Sequence, residues 1–181
     1  MSPSVSDPSE RLKAGVRSVP DFPKPGILFR DLTPVLEDAD LFRSSVDLLV
    51  EHAADLEFSK IAGLDARGFI FGSALACRLG RGFIPVRKKG KLPGPVLTHA
   101  YDLEYGSASF EIRRDGLASG EKVLIVDDLL ATGGSALAAA ALIRASGGTP
   151  VAALFVIELE GLGGRDALGD LPARSLVRFP A

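Results

Sequence analysis

The sequence predicts an α/β fold, a mainly parallel β-sheet flanked by helices, on two observations. Short apolar runs with little alternation recur along the chain, as in strands covered on both faces. Helical patterns separate several of them, and an order of strand, helix, strand implies parallel pairing. A length of 181 residues fits a single domain that buries most of the surface its unfolded form exposes.

The elements follow in chain order. The opening "MSPSVSDPSER" lacks the apolar core of a secretory signal, and residues 1 to 10 are expected to be a disordered tail. Residues 18 to 36 carry prolines at 20, 23, 25 and 34, which exclude a helix over most of the segment and mark an ordered loop with a function. From 41 to 56, Phe42, Val46, Leu49, Ala53 and Leu56 recur at helical spacing. The runs "KIAGL" (60 to 64), "GFIPV" (82 to 86), "KVLIV" (122 to 126) and "VAALFVI" (151 to 157) read as strands. Helices are predicted over 69 to 79 and over the Ala-rich stretch 135 to 146, stopped by Gly147 and Gly148. Residues 96 to 113 alternate with period two on either side of "LEYGS", the signature of an antiparallel hairpin or flap.

Composition narrows the partners. A net charge of −2, from 21 basic and 23 acidic side chains, leaves no electrostatic footprint for nucleic acid or an anionic membrane surface. No apolar run approaches the ~20 residues of a membrane span. The single cysteine, Cys77, cannot form an internal disulfide and fits a reducing compartment. These features together predict a soluble, cytoplasmic protein.

The chemistry concentrates in "VLIVDDLLATGGS", residues 123 to 135. A buried strand delivers two adjacent carboxylates, Asp127 and Asp128, which are costly to bury side by side unless each has a partner. Ligands of open parallel sheets bind beyond the carboxyl ends of the strands, which is where this pair falls. The turn that follows, Ala131, Thr132, Gly133, Gly134 and Ser135, opens a helix. Its bare N–H groups and two hydroxyls can face an anion, and the helix dipole favours negative charge there. Paired carboxylates suit the neighbouring hydroxyls of a sugar, and the amide-lined turn suits a phosphate, so together they describe a ribose 5-phosphate. The turn has no lysine of a Walker loop and no dinucleotide fingerprint. The plain alternative is that Asp127, Asp128 and Ser135 merely cap a helix.

Those residues resemble the phosphoribosyl-pyrophosphate signature of the type I phosphoribosyltransferases. "FPKPGILFRD", "IAGLDARGFIFG", "RKKGKLPGP", "LEYG" and "VIELEGLGGR" are similar, in order and spacing, to the branch of that family acting on adenine. The resemblance implies the type I phosphoribosyltransferase fold as one domain over 1 to 181. It implies an adenine hood over 18 to 36 and a catalytic flap over 96 to 113. The implied reaction converts adenine and phosphoribosyl pyrophosphate to AMP and pyrophosphate, with Mg2+ carried on the substrate. No His, Cys and carboxylate cluster suggests a metal site of the protein's own.

Read beside the residues, the resemblance assigns roles. Arg67 presents a fork of donors suited to the leaving pyrophosphate, and the peptide before it is expected to be cis. Arg87, Lys88 and Lys91 are expected to contact pyrophosphate on a loop that reaches the neighbouring subunit, which implies a homodimer. Glu104 is the candidate to manage the proton on adenine, with Tyr105 covering the site; unaided, a hairpin glutamate reads as solvated. Phe29 offers a stacking face and the backbone at Leu28 and Arg30 polar groups for a base edge. Leu159 is implied as the opposite apolar wall.

Two other readings differ in class. A sister transferase on another base would share the ribose-phosphate turn, but "FPKPGILFRD" argues against it. A non-catalytic sensor of phosphoribosyl pyrophosphate would be expected to carry a DNA-binding module or basic face and to lose the flap carboxylate. The segments "HAADLEFSK" and "ARSLVRFPA" match the family only loosely.

Overall fold

The computed structural model describes residues 7 to 103 and 106 to 181. Among the described residues the chain builds a seven-stranded sheet in the order β5-β6-β4-β3-β7-β8-β9, plus a separate two-stranded sheet. The predicted strands appear as β3 (Lys60–Leu64), β4 (Gly82–Lys88), β7 (Lys122–Leu130) and β8 (Thr149–Glu160). They pair in parallel, β4 with β3, β3 with β7 and β7 with β8. The hairpin β5 (Val96–Leu103) and β6 (Gly106–Arg113) joins antiparallel to β4 through Arg87 and Lys88.

Side chains along β7 explain the two covered faces. Leu124 and Val126 enter one core with Leu49, Phe71 and Leu154, whereas Val123 and Ile125 enter the other with Ala139, Ile143 and Phe155. The period of two sends successive residues to opposite sides. The first face is covered by α3 (Ala39–Ala53) and α4 (Gly68–Leu79), the second by α5 (Gly134–Ala145). Helix α5 packs closely on this face, touching the hairpin strands β5 and β6 as well as β7 and β8. That position accounts for its alanines, since Ala136, Ala138, Ala139 and Ala140 are all buried.

Helix limits shift for local reasons. Asp38 caps α3 by accepting from the N–H groups of Asp40 and Leu41, each at 2.9 Å, so the helix starts before the predicted residue 41. It ends at Ala53 rather than 56, where Ala54 and Leu56 donate to carbonyls three residues back.

Three features depart from expectation. The predicted tail over 1 to 10 is contradicted at its end, because α1 (Pro8–Gly15) begins there. Asp7 caps it, accepting from Ser9 N–H at 3.1 Å, and Leu12 is fully buried. Residues 18 to 36 are more regular than a loop. β1 (Arg17–Pro20) and β2 (Leu28–Asp31) pair antiparallel, and α2 (Thr33–Glu37) follows, with Pro34 in its first turn where a missing N–H does no harm. The chain end adds β9 (Ala173–Pro180), parallel to β8 at the sheet edge. Its alternation of buried Val177, exposed Arg178 and buried Phe179 is too short to stand out by sequence alone. Among the described residues no helix is long and apolar enough to cross a membrane.

Candidate active site

The chain runs from β3 outward to β4, then returns through the hairpin to place β7 on the other side of β3. The carboxyl ends of β3 and β7 are therefore the point where strand order reverses, the position at which open α/β sheets take their ligands. Both predicted turns lie there.

Strand β7 is longer than predicted. Its pairing with β3 stops at Val126, while its pairing with β8 continues through Asp127, opposite Phe155, to Leu130, opposite Glu158. Asp127 and Asp128 thus lie just past the end of β3, inside the strand rather than after it. Asp128 is buried, at 6% exposure, and receives Arg67 Nε on Oδ2 at 2.6 Å. Asp127 Oδ1 accepts the N–H of Asp128 at 2.9 Å. Burial, and then the neighbouring Asp128 carboxylate, hold the Asp127 carboxyl well above its ordinary range, against the opposing pull of Arg67. The partner that the sequence demanded for two adjacent carboxylates is, for one of them, the arginine of the other turn.

That arginine is the residue before α4, in the turn that leaves β3. The Asp65–Ala66 peptide is cis, as expected. Gly68 lets the turn approach β7, because a Cβ there would stand 2.8 Å from both Asp127 Oδ1 and the Val126 carbonyl oxygen. The guanidinium of Arg67 also lies 5.5 Å from the centroid of the Phe29 ring, so the proline-rich segment reaches the Arg67 turn directly.

The basic segment joins the same turn. Asp65 Oδ2 accepts from Arg87 Nε at 3.3 Å and from the Lys88 N–H at 3.4 Å, and Arg87 Nη1 donates to the Lys91 carbonyl at 3.2 Å. Arg87 therefore ties the loop to the Arg67 turn, while Lys88 and Lys91 remain exposed at its surface.

The turn from Ala131 to Ser135 bends into α5, whose N-cap is Gly133 in the left-handed region at φ 85°. No side chain caps this helix. The alternative reading of Asp127, Asp128 and Ser135 as helix caps is therefore excluded, and the first-turn N–H groups are left for a ligand.

In the hood, Phe29 is half-buried on β2 and meets Phe22 edge to face at 5.1 Å. Leu28 is exposed. Strand β2 pairs on one side only, with β1, so the backbone groups of its other edge are open to a planar ligand. The Arg30 side chain turns away, donating to Ser18 Oγ at 2.5 Å and to the Pro180 carbonyl at 2.9 Å, with its guanidinium 4.6 Å from the centroid of Phe179. Leu159, half-buried near the end of β8, pairs with that same Phe179. Phe179, which sequence reasoning missed, thus links both proposed walls of the base slot. Glu104 and Tyr105 lie outside the described residues.

The meeting of Arg67 and Asp128 where the strand order reverses sets this chain beside the phosphoribosyltransferases as a class. The phosphoribosyl transferase domain family matches residues 43–161. The adenine phosphoribosyltransferase of Mesorhizobium japonicum is 52% identical over 99% of this chain and 98% of its own. The crystal structure of the enzyme of that name from Thermoanaerobacter pseudethanolicus superposes with a TM-score of 0.92 at 48% identity, covering 94% of this chain and 99% of that one. The Saccharomyces cerevisiae enzyme, solved with an imino-altritol bisphosphate and adenine, gives 0.88 at 41% identity, with 94% and 98% covered. The chain belongs to the adenine phosphoribosyltransferases.

Proposed function

We infer that the chain carries out its family's reaction, transferring the 5-phosphoribosyl group from phosphoribosyl pyrophosphate to adenine to give AMP and pyrophosphate, a step of purine salvage. The observation that carries this reading is the Arg67–Asp128 ion pair, on the strand that leads into the uncapped start of α5 and with the Phe29 ring 5.5 Å from its guanidinium. It brings a cation for pyrophosphate and a carboxylate for ribose to one point.

In this reading the amides and hydroxyls of 131 to 135 hold the 5-phosphate, and Asp127 and Asp128 accept from the ribose hydroxyls. Phe29 and Leu159 hold the base between them, while the open edge of β2 at Leu28 and Arg30 reads its polar rim. Adenine N9 forms its bond to the anomeric carbon with inversion as the bond to the pyrophosphate oxygen breaks. Arg67, with Arg87, Lys88 and Lys91, neutralises the departing charge. Glu104 takes the proton that N9 sheds, and Tyr105 shields the site from water. Magnesium is proposed to arrive on the substrate, carried on the pyrophosphate. The basic loop is proposed to serve a homodimer.

The test is pyrophosphate release with magnesium, phosphoribosyl pyrophosphate and a panel of bases. Turnover with adenine and not with guanine, xanthine, uracil or orotate is the expected result. Binding of phosphoribosyl pyrophosphate without turnover for any base would instead identify a sensor. Within this reading, Phe179→Leu removes the ring beneath Arg30 and loosens the hood. A cation–π contact of about 0.5–1 kcal/mol corresponds to a KM for adenine raised about 2- to 5-fold, with the KM for phosphoribosyl pyrophosphate unchanged in steady-state assays.

A further inference from the structure

We propose that Arg165 and Glu158 are positioning residues for the 5-phosphate loop, acting through the short helix α6 (Gly164–Ala167). The inference rests on the assignment of residues 131 to 135 to the 5-phosphate.

The loop and α6 meet backbone to backbone. A Cβ on Gly164 would overlap the Ala131 carbonyl oxygen and come within 3.0 Å of Leu130 Cδ1. From the other side, a Cβ on Gly133 would stand 2.8 Å from the Gly164 carbonyl oxygen and 3.4 Å from Ala167 Cβ. With no side chain between them, any shift of α6 passes straight to Ala131 and Gly133, whose N–H groups and curvature form the cradle.

Glu158 holds α6 in place. It is 7% exposed on β8, directly beside Leu130, the last residue of β7 before the cradle. Its Oε1 accepts from Arg165 Nε at 2.9 Å and its Oε2 accepts from Arg165 Nη2, a two-point contact that fixes orientation as well as distance. Ser175 Oγ donates to the same carboxylate at 2.8 Å, and Arg165 Nη1 donates to the Ala173 carbonyl at 2.5 Å, tying α6 to β9 as well. Hydrogen bonds from Arg165 come first among the causes that hold the Glu158 carboxyl below its ordinary range, so it stays ionised in this setting. The next residue on β8 is Leu159, so one carboxylate sits at the base of both the phosphate loop and a wall of the base slot.

The test separates this device from a general structural role. Arg165→Met keeps the packing volume and removes the fork. A misplacement of the cradle on the ångström scale is worth up to about 100-fold. We therefore expect ribose 5-phosphate affinity, measured by calorimetry, to fall about 10- to 100-fold, with a matching rise in the KM for phosphoribosyl pyrophosphate. The KM for pyrophosphate in the reverse reaction, read at the Arg67 turn, should stay within about 2-fold. Gly164→Ala pushes on the loop from behind without touching Glu158 and should reproduce the same split; it carries the test if Arg165→Met does not fold. Arg174→Met, which removes an arginine on β9 paired with Asp55, is the control and should change neither affinity. Equal losses for ribose 5-phosphate and pyrophosphate, or no loss for either, would overturn the proposal. If the unaltered protein bound pyrophosphate but not ribose 5-phosphate, the assignment of the loop itself would fall, and the positioning role with it.

Discussion

Arg67→Ala lowers kcat/KM for phosphoribosyl transfer by about 100- to 1000-fold, the range found when one preorganised donor to developing charge is removed. The size of the effect follows from the three jobs the side chain does in one place. Its guanidinium faces the proposed leaving group, neutralises Asp128 at 2.6 Å and lies 5.5 Å from the Phe29 ring. Losing it deprives departing pyrophosphate of a cation. It also leaves a buried carboxylate without its partner, beside a second carboxyl already held above its ordinary range. Arg67→Lys recovers only part of the loss, because an ammonium is a point charge without the planar fork of donors that suits a pyrophosphate. Steady-state kinetics in both directions check this, and a pyrophosphate KM unchanged in Arg67→Ala would remove the arginine from the leaving-group site.

Asp127→Asn is expected to do two opposite things, raising the melting temperature of the free protein at pH 7 while weakening capture of phosphoribosyl pyrophosphate. In the unfolded chain an aspartate ionises near pH ~3.9. In the fold, burial and Asp128 keep the Asp127 carboxyl protonated to higher pH. The folded state therefore binds more protons than the unfolded state above pH ~3.9, and stability is lost as pH rises from there until the folded-state value is passed. Asparagine does not titrate, still accepts from the Asp128 N–H and presents an amide to the Asp128 carboxylate. Its advantage should be absent below about pH 4, grow with pH and then level off. Each ~1 kcal/mol of relieved penalty is worth about 2–4 °C in a domain of this size. Capture suffers because the amide offers the ribose hydroxyls one acceptor oxygen where the carboxyl offers two, and a hydrogen bond worth about 0.5–1.5 kcal/mol corresponds to a KM raised about 2- to 10-fold. Thermal denaturation across pH 4 to 8 is the check; a gain equal at both ends would show that no titration of Asp127 lies behind it.

The parallel sheet was legible because its central strands are covered on both faces and so are uniformly apolar. Residues 60 to 64 and 122 to 126 need no partner to be recognised, and the proposed phosphate turn announces itself by glycines and hydroxyls after an acidic pair. The hood was half legible. Its prolines mark an unusual segment, yet β1 and β2 are four residues each and are stabilised by pairing with one another and by Arg30 reaching β9. No local pattern carries that information. The exclusion of a capping role for Ser135 likewise depended on the folded turn, since the same residue types cap helices elsewhere.

By itself the amino-acid order determined which chemical groups the protein owns and the neighbourhoods they belong to: an acidic pair, an amide-rich turn, an arginine followed by a glycine and an aromatic residue in a proline-rich segment. Only the tertiary structure decided which of these meet. Arg67 and Asp128 are far apart in the chain and are joined because β3 and β7 lie side by side where the strand order reverses. Gly164 backs the loop at Ala131, and Phe179 bridges Arg30 and Leu159, through contacts between segments distant in sequence. Periodicity reports how a residue faces its own element's core. It carries no term for the close approach of two backbones or for a buried carboxylate's choice of partner, which depend on packing across the whole domain.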